Sequence, residues 1–100
     1  MRFCPWYPLA DAAAHAPAGE GVLQLRLAAG LVDYPTGKSA MVHYEHAADV
    51  CTRACQLARD LAGRDLLCRH LEPSDTDPAQ FHAKVRADFV RRFGAPPALP

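Results

Sequence analysis

The chain has 100 residues, half of them apolar by a count that includes alanine, and its 11 basic and 11 acidic side chains cancel. A chain of this length makes one domain burying about 60 to 65% of its unfolded surface, which excludes a separate substrate domain and leaves any site shallow or shared. Zero formal charge also removes any global field toward nucleic acid or anionic lipid. No apolar run approaches the ~20 residues needed to cross a bilayer, and Met1 to Trp6 carries Arg2 but no apolar segment of secretory type. The expectation is a cytoplasmic chain with no membrane partner, whose four cysteines, Cys4, Cys51, Cys55 and Cys68, are reduced thiols.

In chain order, residues 9–15 are alanine-rich and end before Pro17, which predicts one or two helical turns packed through Trp6 and Leu9 in an N-terminal extension over 1–20. Leu23, Leu25 and Leu27 then alternate with Gln24 and Arg26, the period of a half-buried strand, and Ala28-Ala29-Gly30 reads as a turn. Residues 31–34 are expected to pair back on that strand until Pro35, Thr36 and Gly37 interrupt the ladder. Residues 40–45 resume strand character, with Val42 and Tyr44 on one face and Met41, His43 and Glu45 on the other, and are expected at the centre of the sheet.

Over residues 47–62, Val50, Ala54, Leu57 and Leu61 recur at helical spacing, with Cys51, Cys55 and Ala58 widening the stripe. Gly63 suits a left-handed cap, and residues 66–71 supply a third strand. The last element is the best punctuated. Asp77 caps free amides, Pro78 fits the first turn, Gln80 completes a capping box, and Gly94 with Pro96 stops the helix. Phe81, Val85, Phe89 and Phe93 share one face, and the proline-rich tail over 96–100 is expected to lie along the surface. The summed order is α-β-β-α-β-α.

Lys84, Arg86, Arg91 and Arg92 against Asp88 give the last helix a local charge of +3, four minus one. Gly37-Lys38-Ser39 ends like a phosphate cradle, but the pattern needs glycine where Val32 stands and a helix where a strand is expected. Cys51 and Cys55 lie one turn apart on the edge of an apolar stripe and are read as packing groups, with no metal site. His82 is read on the solvent side of the last helix and His15 as exposed.

Gly21-Val22-Leu23, Tyr44-Glu45-His46 and the helix residue Arg53 together resemble the nuclease core of the GIY-YIG family, over residues 21–97. The first triplet is similar to the family's first motif, the second to its second motif, and Arg53 to the helix arginine that follows. The resemblance implies an α/β, more strictly α+β, core over 21–95, with a small three-stranded antiparallel sheet flanked by helices. In active members the tyrosines of both motifs and the arginine surround the scissile phosphate, and a glutamate on a later helix holds a divalent metal. This chain departs from that pattern. Leu23 stands where the first tyrosine belongs, His46 where the second motif has glycine, and twenty residues separate Leu23 from Tyr44, well above the family's usual spacer. Aligning the family's apolar pair on Phe89-Val90 puts Arg86 at the metal position, and Asp88 falls about 200° around the helix. A second register, on Tyr34-Pro35-Thr36-Gly37-Lys38-Ser39, fits the spacer but leaves the arginine without a counterpart.

Tyr44 and Arg53 are therefore the candidate catalytic residues, and the expected function is a non-catalytic module that binds DNA or RNA and needs no cofactor. Its expected surface is Tyr34, Lys38, Tyr44, Arg53, Arg69 and Arg86, arginines meeting phosphates and tyrosines stacking on bases. Two other classes stay open: a Mg²⁺-dependent phosphodiesterase using Glu45 or Asp88 as a displaced acid, and a protein-interaction domain that docks a partner through residues 31–39.

Overall fold

The computed structural model describes residues 2–99. β1 (Tyr7–Pro8) runs into a 3-10 turn (Leu9–Asp11) and α1 (Ala12–His15). β2 (Gly21–Leu27), β3 (Val32–Tyr34), β4 (Gly37–Ser39) and β5 (Met41–Ala47) follow, then α2 (Val50–Asp60), β6 (Leu66–His70) and α3 (Pro78–Phe93). The class is α+β, as the sequence predicts, with a four-stranded antiparallel sheet in the order β1-β6-β2-β5 and a separate β3-β4 hairpin.

Three expectations about the sheet are corrected. It has four strands rather than three, because Tyr7 pairs with Cys68 and Pro8 with Leu67 along the outer edge of β6. Residues 32–34 do not pair back on β2. Tyr34 lies opposite Gly37, so Pro35 and Thr36 form the centre of a tight turn and β3 closes on β4 instead. β5 is an edge strand, not a central one, because β2 takes β5 on one side and β6 on the other.

With partners on both edges and helices on both faces, β2 is more deeply buried than an alternating strand would be. Val22, Leu23 and Leu25 are fully buried and Gln24 is 3% exposed. On one face Leu23, Leu25, Leu66 and Cys68 form a cluster with Val50, Ala54 and Leu57 of α2 and with Leu9 and Ala12. Tyr7, Leu9 and Ala12 of the N-terminal segment therefore contribute to the core. α2 begins at the first residue of its apolar stripe, three residues into the expected span of 47–62, because the Asp49 carboxylate accepts the Thr52 amide and fixes the start there.

The opposite face carries α3. Asp77 accepts the Ala79 amide, Pro78 opens the helix, and Gly94 closes it at φ +78°, a left-handed conformation that favours glycine. Phe89 is buried with its ring edge-on to Tyr34 and Tyr44, at centroid distances of 4.9 and 5.5 Å. The β3-β4 turn is tied to the end of this helix, where Thr36 donates from Oγ1 to the Arg92 carbonyl at 2.6 Å and from its amide to the Phe93 carbonyl at 3.1 Å. The tail is anchored, not merely apposed: the Leu99 amide donates to the Val42 carbonyl at 2.8 Å and its side chain is 9% exposed. Among the described residues no helix is long and apolar enough to cross a membrane.

A Cβ at position 21 would lie 2.8 Å from Cγ2 of Val50, so Gly21→Ala is expected to destabilise by about 1–3 kcal/mol through overpacking. Leu31→Ser, at the one exposed large apolar side chain of the described residues, is expected to change stability by less than about 0.5 kcal/mol. Urea titration of both variants checks the pair, and equal losses would contradict this packing of α2 on β2.

Candidate functional site

The alternation of β5 divides the predicted site. Tyr44 lies opposite Gln24 and Glu45 opposite Leu23, so the two neighbours point to opposite faces of the sheet. Tyr44 turns toward α3, where its ring meets Phe89. Glu45 turns toward α2, where Arg53 donates from Nε to its Oε2 and His43 lies 2.7 Å from its Oε1. Tyr44 and Arg53 are thus on opposite sides of the sheet, and the structure does not bring them together.

The α2-face cluster is a closed charge network. Burial alone would raise the Glu45 pKa, but hydrogen bonds from Arg53 and His43 outweigh it and hold the carboxyl below its ordinary value. The same carboxylate raises the Arg53 pKa. Nor is the start of α2 free to take an anion, since Asp49 already occupies it, accepting from Gly19 and Thr52.

The α3 face holds cations of a different kind. Arg69 on β6 places its Cζ 4.3 Å from the Phe3 ring and 4.3 Å from the Trp6 ring, and Arg26 on β2 places its own 4.8 Å from that same indole. Arg69 donates from Nε to Gln24 Oε1 at 2.9 Å. Among the described residues neither arginine has a carboxylate partner within ion-pair distance. The Arg26 Nε is buried without an acceptor among the described residues. Burial and the neighbouring Arg26 charge lower the Arg69 pKa, although Tyr44 opposes them. Two like charges are therefore held close by aromatic faces and one amide oxygen, with no carboxylate beside them among the described residues, an arrangement that an incoming anion would relieve.

Beside this stack runs a cleft of about 340 Å³, with Gln24, Tyr44 and Arg69 on the sheet side and Val85, Phe89 and Phe93 on the helix side. Phe3, Asp88 and Arg92 complete its lining, and Asp88 is engaged by Arg91 Nη1 at 2.7 Å. Burial raises the Tyr44 pKa, with Arg69 partly countering it, so the phenol remains a donor at neutral pH.

The other expected site residues scatter. Tyr34 is 8% exposed, with its hydroxyl donating to the Met41 carbonyl at 2.7 Å and accepting from the Ala98 amide at 3.1 Å, so it is a structural tyrosine. Lys38 is an exposed strand residue 3.6 Å from Asp33, and no helix follows it. Arg86 lies on exposed α3 and lines a second cleft with His43, Tyr44 and Leu99. His82 is half-buried rather than solvated, with Nε2 3.2 Å from the Tyr44 carbonyl.

The metal implied by the resemblance finds no matching donors. Arg86 stands at the expected ligand position, Asp88 is paired with Arg91, and no group of three or more His, Cys, Asp or Glu side chains among the described residues is arranged to hold an ion. No protein-family model, curated protein or solved structure matches the chain.

Arg26, Trp6, Phe3 and Gln24 are the site residues that sequence reasoning missed. The alternation that put Leu23 and Leu25 on one face of β2 already put Gln24 and Arg26 on the other. The position of Trp6 had no sequence signal, because it depends on β1 pairing with β6 across sixty residues of chain.

The depressed Glu45 pKa carries a sign. Its stabilising contribution is fully present above the ordinary value of 4.5 and is lost as pH falls through the lower value of the folded state. Glu45→Gln is expected to cost about 1–2 kcal/mol at pH 7. Denaturant titrations should show that gap closing as the pH falls below 4.5, and a gap constant into acid would contradict the network.

Proposed function

We propose that the protein is a GIY-YIG-like domain without cleavage activity that binds single-stranded nucleic acid on its α3 face. The observation that carries the proposal is the pair Arg26 and Arg69 held on one Trp6 ring with no carboxylate partner among the described residues. Guanidiniums in that state offer donors to phosphate, while Phe3 and Trp6 offer rings to bases, the combination by which single strands are gripped without base-specific contacts. The adjoining cleft adds Tyr44 and Gln24 as hydrogen-bonding groups and Arg92 at its rim. In this reading Tyr44 and Arg69 stay in the binding surface, and Arg86 lies on the neighbouring helix α3. Arg53 is given up to Glu45 and Lys38 to Asp33.

The antiparallel β2-β5 pair, the helix α2 that directly follows it and the return of β6 alongside β2 support the GIY-YIG-like reading of the core. The separation of Tyr44 from Arg53, and the engagement of both Glu45 and Asp88 by arginines, favour binding over phosphodiester cleavage. A protein-docking role for residues 31–39 is less supported, since Leu31 is the single exposed large apolar side chain there and the turn is tied to α3.

Fluorescence anisotropy with a labelled single-stranded oligonucleotide at low salt tests the proposal. Binding should weaken with salt with a log–log slope of about 1.4 if two phosphates are contacted. Trp6→Ala should lose about 1–3 kcal/mol, roughly 5- to 150-fold in Kd. Arg69→Ala and Arg26→Ala should each flatten the salt slope, and Arg53→Ala should leave binding unchanged. No binding at low salt, or binding abolished only by Arg53→Ala, would overturn it.

A further inference from the structure

On the α2 side of the sheet, the N-terminal segment and β6 bring together four groups that the proposed function leaves unused. Cys4 Sγ lies 3.3 Å from His70 Nδ1, and the Tyr7 hydroxyl lies 3.2 Å from the same nitrogen. Cys68 in turn directs its thiol to the Tyr7 hydroxyl at 3.6 Å. With the ring proton assigned to Nε2, Nδ1 is an acceptor that either neighbour, each carrying a hydrogen, can donate to. Burial, reinforced by His15 and opposed by Glu72, lowers the His70 pKa, so the imidazole is neutral at pH 7 and its Nδ1 lone pair is available. The His70 backbone amide also donates to Cys4 Sγ at 3.4 Å. The thiol hydrogen has one other acceptor in reach, the Pro5 carbonyl at 3.4 Å.

The four thiols are unequal in this setting. Cys68 is fully buried, and its pKa is pushed up to about 11, chiefly by burial. Cys51 is raised by burial and by its neighbour Cys55. Cys4 is partly exposed and has a base beside it. The Tyr7 phenol, raised far above its ordinary value mainly by burial, stays protonated and does not compete as a base.

We infer that Cys4 with His70 forms a nucleophilic thiol site whose substrate class is a small hydroperoxide. In the reaction Cys4 Sγ attacks one peroxide oxygen, an S–O bond forms and the O–O bond breaks. His70 Nδ1 takes the thiol proton and passes it to the departing oxygen, which leaves as water or an alcohol. Sulfur is oxidised by two electrons to the sulfenic acid and the peroxide is reduced by two.

The test uses the whole protein with sub-stoichiometric hydrogen peroxide, dimedone to trap sulfenic acid, and mass spectrometry to quantify each cysteine. Cys4 is expected to be labelled first, about tenfold or more ahead of Cys51, Cys55 and Cys68. His70→Gln should slow Cys4 labelling by about 10- to 100-fold, with an unchanged melting temperature to separate loss of the base from loss of structure. Tyr7→Phe, which frees Nδ1 of its second donor, should not slow it. Cys51 or Cys55 labelled as fast as Cys4 in the unmodified protein would overturn the inference without any variant, and so would a folded His70→Gln protein that reacts at the original rate.

Discussion

The structure depends on β2 being paired along both edges. A strand with neighbours on either side has a fixed register, and a fixed register assigns every second side chain to one face. Gln24 faces Tyr44 and Arg69 across the two ladders, whereas Leu23 faces Glu45 and His70. Everything chemical in the domain follows from that division. One face receives α3 and the aromatic-cation stack, and the other receives α1, α2, the Glu45 network and the Cys4-His70 pair.

The arginines show how the same side chain acquires different uses on the two faces. Arg53 meets a carboxylate and becomes part of a half-buried ion pair, stabilising the edge strand against the helix that follows it. Arg26 and Arg69 meet rings instead of acids. Aromatic faces attract a cation by about 0.5–2 kcal/mol without neutralising it, so the charge remains available to a ligand. A chain with no net charge can in this way present a local positive site.

Much of the fold was legible because its signals are local. The Asp77, Pro78 and Gly94 punctuation of α3, the stripe of α2 and the alternation of β2 all depend on residues close in sequence. The sheet order was not legible, because nothing in residues 32–34 distinguishes pairing with β2 from pairing with β4 except the turn at Pro35-Thr36. Tyr7 and Pro8 are too short a strand to have a periodicity at all. The site was legible in residue type but not in grouping. Tyr44 and Arg69 share a face, while Arg53 was separated from Tyr44 by a single step along β5, from residue 44 to residue 45. Tyr34 illustrates a further limit: burial, not sequence, decides whether a tyrosine is a ligand contact or a strut between a hairpin and a helix.

The central claim is that two arginines packed on the Trp6 ring make up the proposed binding face, and Trp6 is the one tryptophan of the chain. Its intrinsic emission during titration with an unlabelled single-stranded oligonucleotide reports on that place alone. The account predicts a saturable change in emission that added salt reverses and that is absent with Arg26 and Arg69 both replaced by alanine. Emission that stays constant while the oligonucleotide binds would place the contact elsewhere and contradict the account.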